Sequence, residues 1–510
     1  MTPDKIIPFD AAAALFAGFR QEGRRIVMCH GIFDLLHPGY IVHLEEARAL
    51  GDVLVVSLTA DKFVNKGPGR PFCKEDLRAR TLAALTCVDY VVVTPFSSAA
   101  GALEAVRPHF YCLGKEYERN VAKNDFLQKD LATAAGVGAE VRHVGSVAFS
   151  ATRLLNHHFE HLPAGVKDFC HALAREFSMK DFREAVESLS GLRVLVMGDV
   201  IFDRYSFLKV QGLTSKNRII SGRFLREETQ CGGALAVFRH VRQFTPHVRL
   251  LSLLGTEPWV DPFLREHAAP EEDKCVRDPA FTTIIKQRYV EPLLEGKEMS
   301  KLFSVNYIDA AAPNAAAQAR LMERARQEMA GTDVVLLLDF GHGMMQAPLR
   351  DLVQDTAPLL ALNCQTNSNN HGFNIISRQY RRADAFTLDE QELMLACGHR
   401  HLDHKAELSH LRRSLKSRCA WLTRGDVQTI GLCDETECLC PPLETEVVDT
   451  IGAGDAFFSL AALAAARRLP VALGTFLGQL AGAQAVKIVG NARPISKHIL
   501  LNSGSSLLNF

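Results

Sequence analysis

Short, strand-like apolar runs recur along this chain and alternate with longer stretches whose apolar residues fall at helical spacing. Strands that are apolar at every position are those buried on both faces, as in parallel sheets covered by helices. The first series of such runs is Ile26–Cys29, Val53–Leu58, Tyr90–Val93 and Phe110–Leu113, ending near Phe149–Phe159. Leu162-Pro163-Ala164-Gly165 has the composition of a linker, and one or two helices follow it, with Ser178 as a cap. Val194–Met197 opens a second series, continued by Leu250–Leu254, Val334–Leu338, Leu359–Asn363 and Ala420–Thr423. The pattern predicts an α/β chain with a first domain over residues 1–160, linker helices over 161–189 and a second domain over 190–510.

Two segments break this rhythm. Residues 205–230 and 281–308 are strand-prone without intervening helices. They form either a small β layer that excludes water from a site or a pair of surface hairpins.

Composition narrows the class of function. Lys+Arg and Asp+Glu balance at 58 each, so no global basic field points to nucleic acid. No apolar run reaches the length needed to cross a bilayer, and the N-terminus has neither a basic region nor a continuous apolar core, so neither membrane insertion nor a signal peptide is expected. The 13 cysteines lie at long spacings in apolar contexts, which suggests buried free thiols and a cytoplasmic setting. Cys438-Leu439-Cys440 is the close pair, read as a strand edge rather than a metal site.

The strongest chemical signal is Asp449-Thr450-Ile451-Gly452-Ala453-Gly454-Asp455, running into an apolar helix. Small residues let backbone N–H groups crowd around a phosphate, and a helix N-terminus adds a partial positive charge. A carboxylate in that first turn is placed to take a proton from an attacking hydroxyl. Near the other end of the chain, Gly31-Ile32-Phe33-Asp34-Leu35-Leu36-His37-Pro38-Gly39-Tyr40 follows a strand and opens the helix Ile41–Leu50. Backbone donors and an imidazole in a strand-to-helix turn also suit a phosphate.

The first of these turns in chain order carries a family likeness. Residues from about 25 to 158 resemble the cytidylyltransferase-type nucleotidyltransferases, whose H-x-G-H signature matches His37-Pro38-Gly39 and then departs at Tyr40. The resemblance implies that Gly31, Phe33, His37 and Tyr40 surround phosphate. It implies that Lys66 belongs to a lysine loop before Arg70-Pro71, and that Arg78, starting the helix Arg78–Leu85, meets the triphosphate. Gly114 and Lys115, within Leu113–Tyr117, correspond to the segment that reads the base. Ser150, Thr152 and Arg153 correspond to a closing phosphate-binding motif. A sugar or polyol phosphate would attack the α-phosphorus of CTP or ATP and release pyrophosphate, by positioning and charge neutralisation with Mg²⁺.

From about 190 to 500 the chain resembles the ribokinase-like carbohydrate kinases. By that resemblance Asp455 is the catalytic base, Gly452, Ala453 and Gly454 form the anion hole, and Asp449 and Thr450 position phosphate and metal. Asp203 matches a carboxylate that grips sugar hydroxyls, with Gly232 and Gly233 beneath the substrate. Thr423 and Gly425 form a nucleotide-side turn, and Glu392 helps place Mg²⁺ through water. Lys286 and Arg288, two apart on a strand, point to one face; they bind a phosphate already on the substrate or line an exposed charged face. The polar tract Leu362–Asn370 at a strand end either faces ligand or is a solvated loop.

The expected fold class is therefore α/β with two Rossmann-like three-layer domains, the second a ribokinase-like fold with a small β lid. The pairing is similar to that of bifunctional heptose-phosphate kinase/adenylyltransferases, with the domains in reverse order. It implies a sugar-activating enzyme that uses ATP, CTP or ATP as nucleotidyl donor, and Mg²⁺. Its small partner would be a sugar or sugar phosphate, and lids of this kind imply a homodimer. The alternative is a working kinase whose N-terminal domain, degenerate at Tyr40, only senses nucleotide. A scaffold in which both sites have decayed is opposed by the intact Asp449–Asp455 segment.

Overall fold

The computed structural model describes residues 5–64, 66–67, 69–115, 125–145, 162–292, 300–308, 313–367, 370, 372–401 and 403–509. Its backbone divides into two compact units, Met1–Ala164 with Asn509–Phe510, and Gly165–Leu508.

The first unit is built on six parallel strands: β1 (Ile6–Ile7), β2 (Ile26–Gly31), β3 (Val53–Thr59), β4 (Tyr90–Thr94), β5 (Phe110–Gly114) and β6 (Glu140–Val144). They lie in the order β1-β4-β3-β2-β5-β6. Alternate residues of the central strands feed two separate cores. Ile26, Met28, Val53 and Val55 pack with Phe16 and Leu103 on one face, while Val27, Cys29, Leu54 and Val56 pack with Leu44 and Leu82 on the other. This is why those strands carry apolar runs with no alternation, Ile26–Cys29 and Val53–Val56. The strand order reverses between β2 and β5, and crevices at such points are where open parallel sheets take ligands.

Helix starts are less legible. The helix expected to begin at Arg78 spans Glu75–Ala83, with Glu75 and Asp76 in its first turn, where acids complement the helix dipole. Arg78 therefore lies inside the helix.

In the second unit the chain runs through β7 (Val194–Gly198), β8 (Val200–Leu213), β9 (Ile220–Gly233), β10 (Val248–Leu251), β11 (Leu253–Leu254), β12 (Val276–Arg277), β13 (Ile285–Glu291), β14 (Ser300–Tyr307), β15 (Val334–Asp339), β16 (Leu360–Cys364), β17 (Ala385–Asp389), β18 (Cys419–Thr423), β19 (Thr429–Cys433) and β20 (Thr436–Cys440). The large sheet has the order β10-β7-β15-β16-β17-β18-β19-β20, parallel as far as β18 and antiparallel beyond it. Helix Ala453–Ala466 is buried from Ala456 to Ala465, which explains its apolar circumference.

The helices expected as a linker, Ala164–Glu176 and Met179–Ser188, pack with the second unit: Phe182 is fully buried against Phe476. Ser178 closes a capping box with Asp181.

The two strand-prone segments form one sheet, in the order β14-β13-β8-β9. β13 runs parallel to β8 with Lys286 beside Asp203 and Arg288 beside Tyr205. The other face of the sheet leaves Phe224 of β9 and Phe303 and Tyr307 of β14 exposed.

The expectation of free thiols throughout fails at one place. Cys419 and Cys433, directly opposed on β18 and β19, are joined in a disulfide. Cys438 and Cys440 are buried thiols on β20. Among the described residues, no helix is long and apolar enough to cross a membrane.

Candidate functional sites

In the first unit the turn after β2 is held from below. Phe33 takes a left-handed backbone conformation, φ 48°, which is costly for an aromatic residue and needs support from its surroundings. Two arginines supply it. Arg78, 2 % exposed, donates to the Ile32 carbonyl (2.5 Å), the Thr59 carbonyl (2.9 Å) and Asp61 Oδ1 (2.7 Å). Arg70 Nε donates to Asp34 Oδ2 at 2.5 Å, and the Cys73 amide donates to Asp34 Oδ1 at 3.0 Å. These bonds tie the Arg70–Cys73 segment to the turn.

His37 caps the helix Pro38–Arg48 and stacks on Tyr40, with ring centroids 4.3 Å apart, while Tyr40 leans on Phe33 at 5.1 Å. Burial lowers the His37 pKa below its ordinary value, so its imidazole is neutral near pH 7. Lys66 is half-buried, and Gly114 ends β5 on the far side of the strand-order reversal, followed by the exposed Lys115. The structure thus gathers Gly31, Phe33, His37 and Tyr40 at one strand end. Arg78, expected to meet the triphosphate, has its guanidinium bonded to the Ile32 and Thr59 carbonyls and to Asp61. Ser150, Thr152 and Arg153 lie outside the described residues.

The second unit holds a cleft of about 280 Å³, lined by residues of β8, β13, β16, β17 and the Ile451–Asp455 turn. Gly452, at φ 84°, is the N-cap of helix Ala453–Ala466, and a Cβ there would lie 2.1 Å from Asn491 Oδ1. Only glycine fits this turn. The first amides of a helix have no partners within it, so this end presents N–H groups to the cleft beside Asp455. Asp455 accepts a hydrogen bond from Gln365 Nε2 at 3.1 Å. Burial, with a smaller push from Asp203, raises its pKa to about 7. A base near neutrality combines the correct protonation state with enough driving force to accept a proton.

Asp203, 4 % exposed, faces Asp455 across the cleft in an ion pair with Arg288. A Cβ on Gly232 would sit 2.3 Å from Asp203 Oδ2, so that glycine permits the close packing of the strand pair. Lys286 lies over the Phe340 ring at 5.5 Å, and burial lowers its pKa against the pull of Asp203, Asp199 and Asp455. Both basic side chains line the cleft.

Asp449 is buried and turns inward: it accepts from Lys301 Nζ (2.9 Å), the Gly490 amide (2.9 Å) and the Ile451 amide (3.2 Å). It shapes the turn, while Thr450 is exposed. Thr423 lines the cleft at the end of β18, and Gly425, φ 53°, turns the chain into β19.

Glu392 is the third residue of a helix whose N-cap is Asp389, and the two form a reciprocal capping box. Within that box its Oε2 accepts from the Asp389 amide (2.9 Å), its Oε1 also accepts from the Thr366 amide (3.2 Å), and burial pushes its pKa to about 8. Mg²⁺ retains several waters and needs few protein carboxylates. Glu392 at the cleft wall, already bonded to backbone amides, fits contact through such a water rather than direct ligation.

Three contributors were not singled out from the sequence. Gln365 and Asn363 belong to the polar tract Leu362–Asn370, whose two readings were left open. Both line the cleft, and Gln365 links Asn363 to Asp455. Their place at the carboxyl end of a parallel strand was the available signal. Asn491 comes from a distant loop and gave no local signal.

Residues 28–149 match the Cytidylyltransferase-like family, and residues 365–498 match the pfkB family of carbohydrate kinases. Over 115 residues the chain is 42% identical to the Bifunctional protein HldE of Pelobacter propionicus, covering 22% of this chain and 24% of that protein. Over 136 residues it is 36% identical to the protein of the same name from Azorhizobium caulinodans, covering 26% and 28%. The chain thus spans about a quarter of the length of the curated relatives it matches, through its N-terminal domain. Escherichia coli Phosphofructokinase-2, solved with substrates and products, aligns with a TM-score of 0.50 at 14% identity, over 62% of this chain and 98% of that one. That likeness establishes the fold of the second unit. Domains of these two types use nucleoside triphosphates with Mg²⁺, and act on small sugar substrates.

Proposed function

With a cytidylyltransferase-like domain at its N-terminus and a pfkB-type carbohydrate kinase domain at its C-terminus, this chain is, we propose, a bifunctional sugar-activating enzyme. Its C-terminal domain phosphorylates a hydroxyl of a sugar or sugar phosphate with ATP. Its N-terminal domain transfers a nucleotidyl group from CTP or ATP to a sugar or polyol phosphate and releases pyrophosphate. The observation that carries the kinase reading is Asp455, held near neutral pKa at the N-terminus of a buried helix.

In the kinase step Asp455 takes the proton of the substrate hydroxyl as its oxygen attacks the γ-phosphorus of ATP. The bond from that phosphorus to the bridging oxygen of ADP breaks. The helix-end amides at Gly452–Asp455 stabilise charge on the transferred group, and Asp203 orients the sugar through its hydroxyls. Mg²⁺ bound with the nucleotide would neutralise phosphate charge, with Glu392 reaching it through water. Lys286 supplies a cation that supports a substrate already bearing a phosphate. Arg288, committed to Asp203, serves to fix that carboxylate. The β8–β9–β13–β14 sheet closes the cleft, and its exposed Phe224, Phe303 and Tyr307 suit a homodimer contact.

The test of the base is a pH profile. Asp455 must be ionised to act, so kcat/KM for ADP formation is expected to fall about tenfold per pH unit below about 7 and to level off above it. A flat profile from pH 5.5 to 8 would remove Asp455 from that role.

In the N-terminal domain the turn, helix and stacked His37–Tyr40 pair support nucleotidyl transfer, with His37 donating to phosphate and Lys66 supplying charge. Tyrosine donates one hydrogen bond but carries no positive charge. Tyr40→His is therefore expected to raise the rate of pyrophosphate release by about one to two decades. A domain that only senses nucleotide would bind the triphosphate equally well in both forms and release pyrophosphate in neither.

A further inference from the structure

A second cavity of the kinase unit, of about 310 Å³, lies at the C-terminal end of helix Ala234–Arg242. Arg239, Arg242 and His267 converge on it, with Gln243 and Glu266 also in its wall. None of these residues lines the catalytic cleft. Two guanidinium groups in one cavity suit a phosphate, because guanidinium groups present paired donors matched to phosphate oxygens. The His267 imidazole, its pKa lowered by burial and its Nδ1 bonded to the Phe263 carbonyl, forms part of the wall. Gln243 and Glu266 offer hydrogen-bond partners for neighbouring hydroxyl groups.

The cavity is joined to the catalytic cleft by two routes. Arg239 Nη1 donates to the Asn491 carbonyl at 3.2 Å, and Asn491 lines the cleft against the Gly452 turn. The Asn491 amide in turn is held by Gln230 Oε1 at 2.9 Å, and the Gly490 amide by Asp449. The helix that carries Arg239 and Arg242 itself begins at Gly233, which also lines the cleft. Arg242 is held by Glu272 Oε1 at 3.1 Å, so its guanidinium is oriented before any ligand arrives.

We propose that this cavity is a second, non-catalytic site for a phosphorylated polyol or sugar, with the phosphate on Arg239 and Arg242 and the hydroxyls on Gln243 and Glu266. Occupancy competes for Arg239 with the Asn491 carbonyl and so reaches the Gly452 turn; this last consequence rests on the kinase reading, whereas binding does not.

The experiment uses the full chain and follows binding by calorimetry, with the combined fluorescence of its two tryptophans, Trp259 and Trp421, alongside. Glycerol 3-phosphate, inorganic phosphate and glycerol are titrated separately. Saturable binding of glycerol 3-phosphate is expected, weaker binding of phosphate, and none of glycerol. Arg242→Ala should weaken glycerol 3-phosphate at least about tenfold, and Arg242→Lys by less. Arg288→Ala, which alters the catalytic cleft, should leave the signal in place. The proposal is overturned if binding is absent into the low millimolar range, if Arg242→Ala leaves it unchanged, or if the signal disappears with Arg288→Ala instead. Unaltered thermal midpoints in the variants establish that lost binding is not lost folding.

Discussion

Replacing Asp455 with asparagine is expected to lower the rate of ADP formation by about 10²–10⁴-fold, the usual contribution of a general base. The substitution keeps the shape of the side chain and its acceptor oxygen, so the bond from Gln365 Nε2 survives. It also removes a buried charge that Asp203 opposes. Stability should therefore hold or rise slightly, and loss of activity will not reflect unfolding. Steady-state ADP release, read beside the thermal midpoint, checks both halves. A variant within a few-fold of the parent rate would mean that the proton leaves by another path.

The second large effect is expected at Arg78, and it is primarily one of stability. Arg78→Leu keeps only the apolar stem and strands the Ile32 and Thr59 carbonyls, while the partly exposed Asp61 carboxylate loses its ion pair. Hydrogen bonds to a charged group contribute about 1.5–3 kcal/mol each, and removing one partner of a buried pair costs about 3–5 kcal/mol. A loss of about 3 kcal/mol or more is expected in denaturant unfolding of the N-terminal domain. The Ile32–Phe33 turn loses its anchor, so pyrophosphate release should fall as well. If Arg78 instead served only to meet the triphosphate, Arg78→Leu would spare stability and raise KM for the nucleotide.

The contrast between these residues shows what was legible in the chain. The Asp449–Asp455 turn could be read because its glycines, its acids and its helix are contiguous. Strands β2, β3, β7 and β15 could be read because burial on both faces leaves runs of at least four consecutive apolar residues, with polar ones such as His30, Ser57 and Asp339 only toward the carboxyl ends. β6, exposed at alternate positions and carrying Arg142 and His143, has no such signature. β19 was missed, and β20 was read only as a strand edge at Cys438–Cys440, because both extend the sheet antiparallel, outside the strand–helix alternation.

Arg78 was assigned to the triphosphate by its place in a motif; that its guanidinium is bonded to Ile32, Thr59 and Asp61 depends on contacts across the fold. Arg288 was likewise paired with Lys286 by spacing, and both do line the cleft. Its ion pair with Asp203 arises from the alignment of β13 with β8, which no local pattern encodes. Lys301 reaching Asp449 from the lid is of the same kind.

The central claim is that one chain carries two separate phosphorus chemistries. It is tested most directly by scoring ADP and pyrophosphate independently in the parent chain and in Asp455→Asn, with ATP and CTP offered in turn beside panels of sugars and sugar phosphates. The account predicts that the parent chain forms both products, and that Asp455→Asn loses ADP formation while still releasing pyrophosphate from a pre-phosphorylated substrate. Pyrophosphate absent with every triphosphate and sugar-phosphate pair, or lost together with ADP in Asp455→Asn, would contradict it.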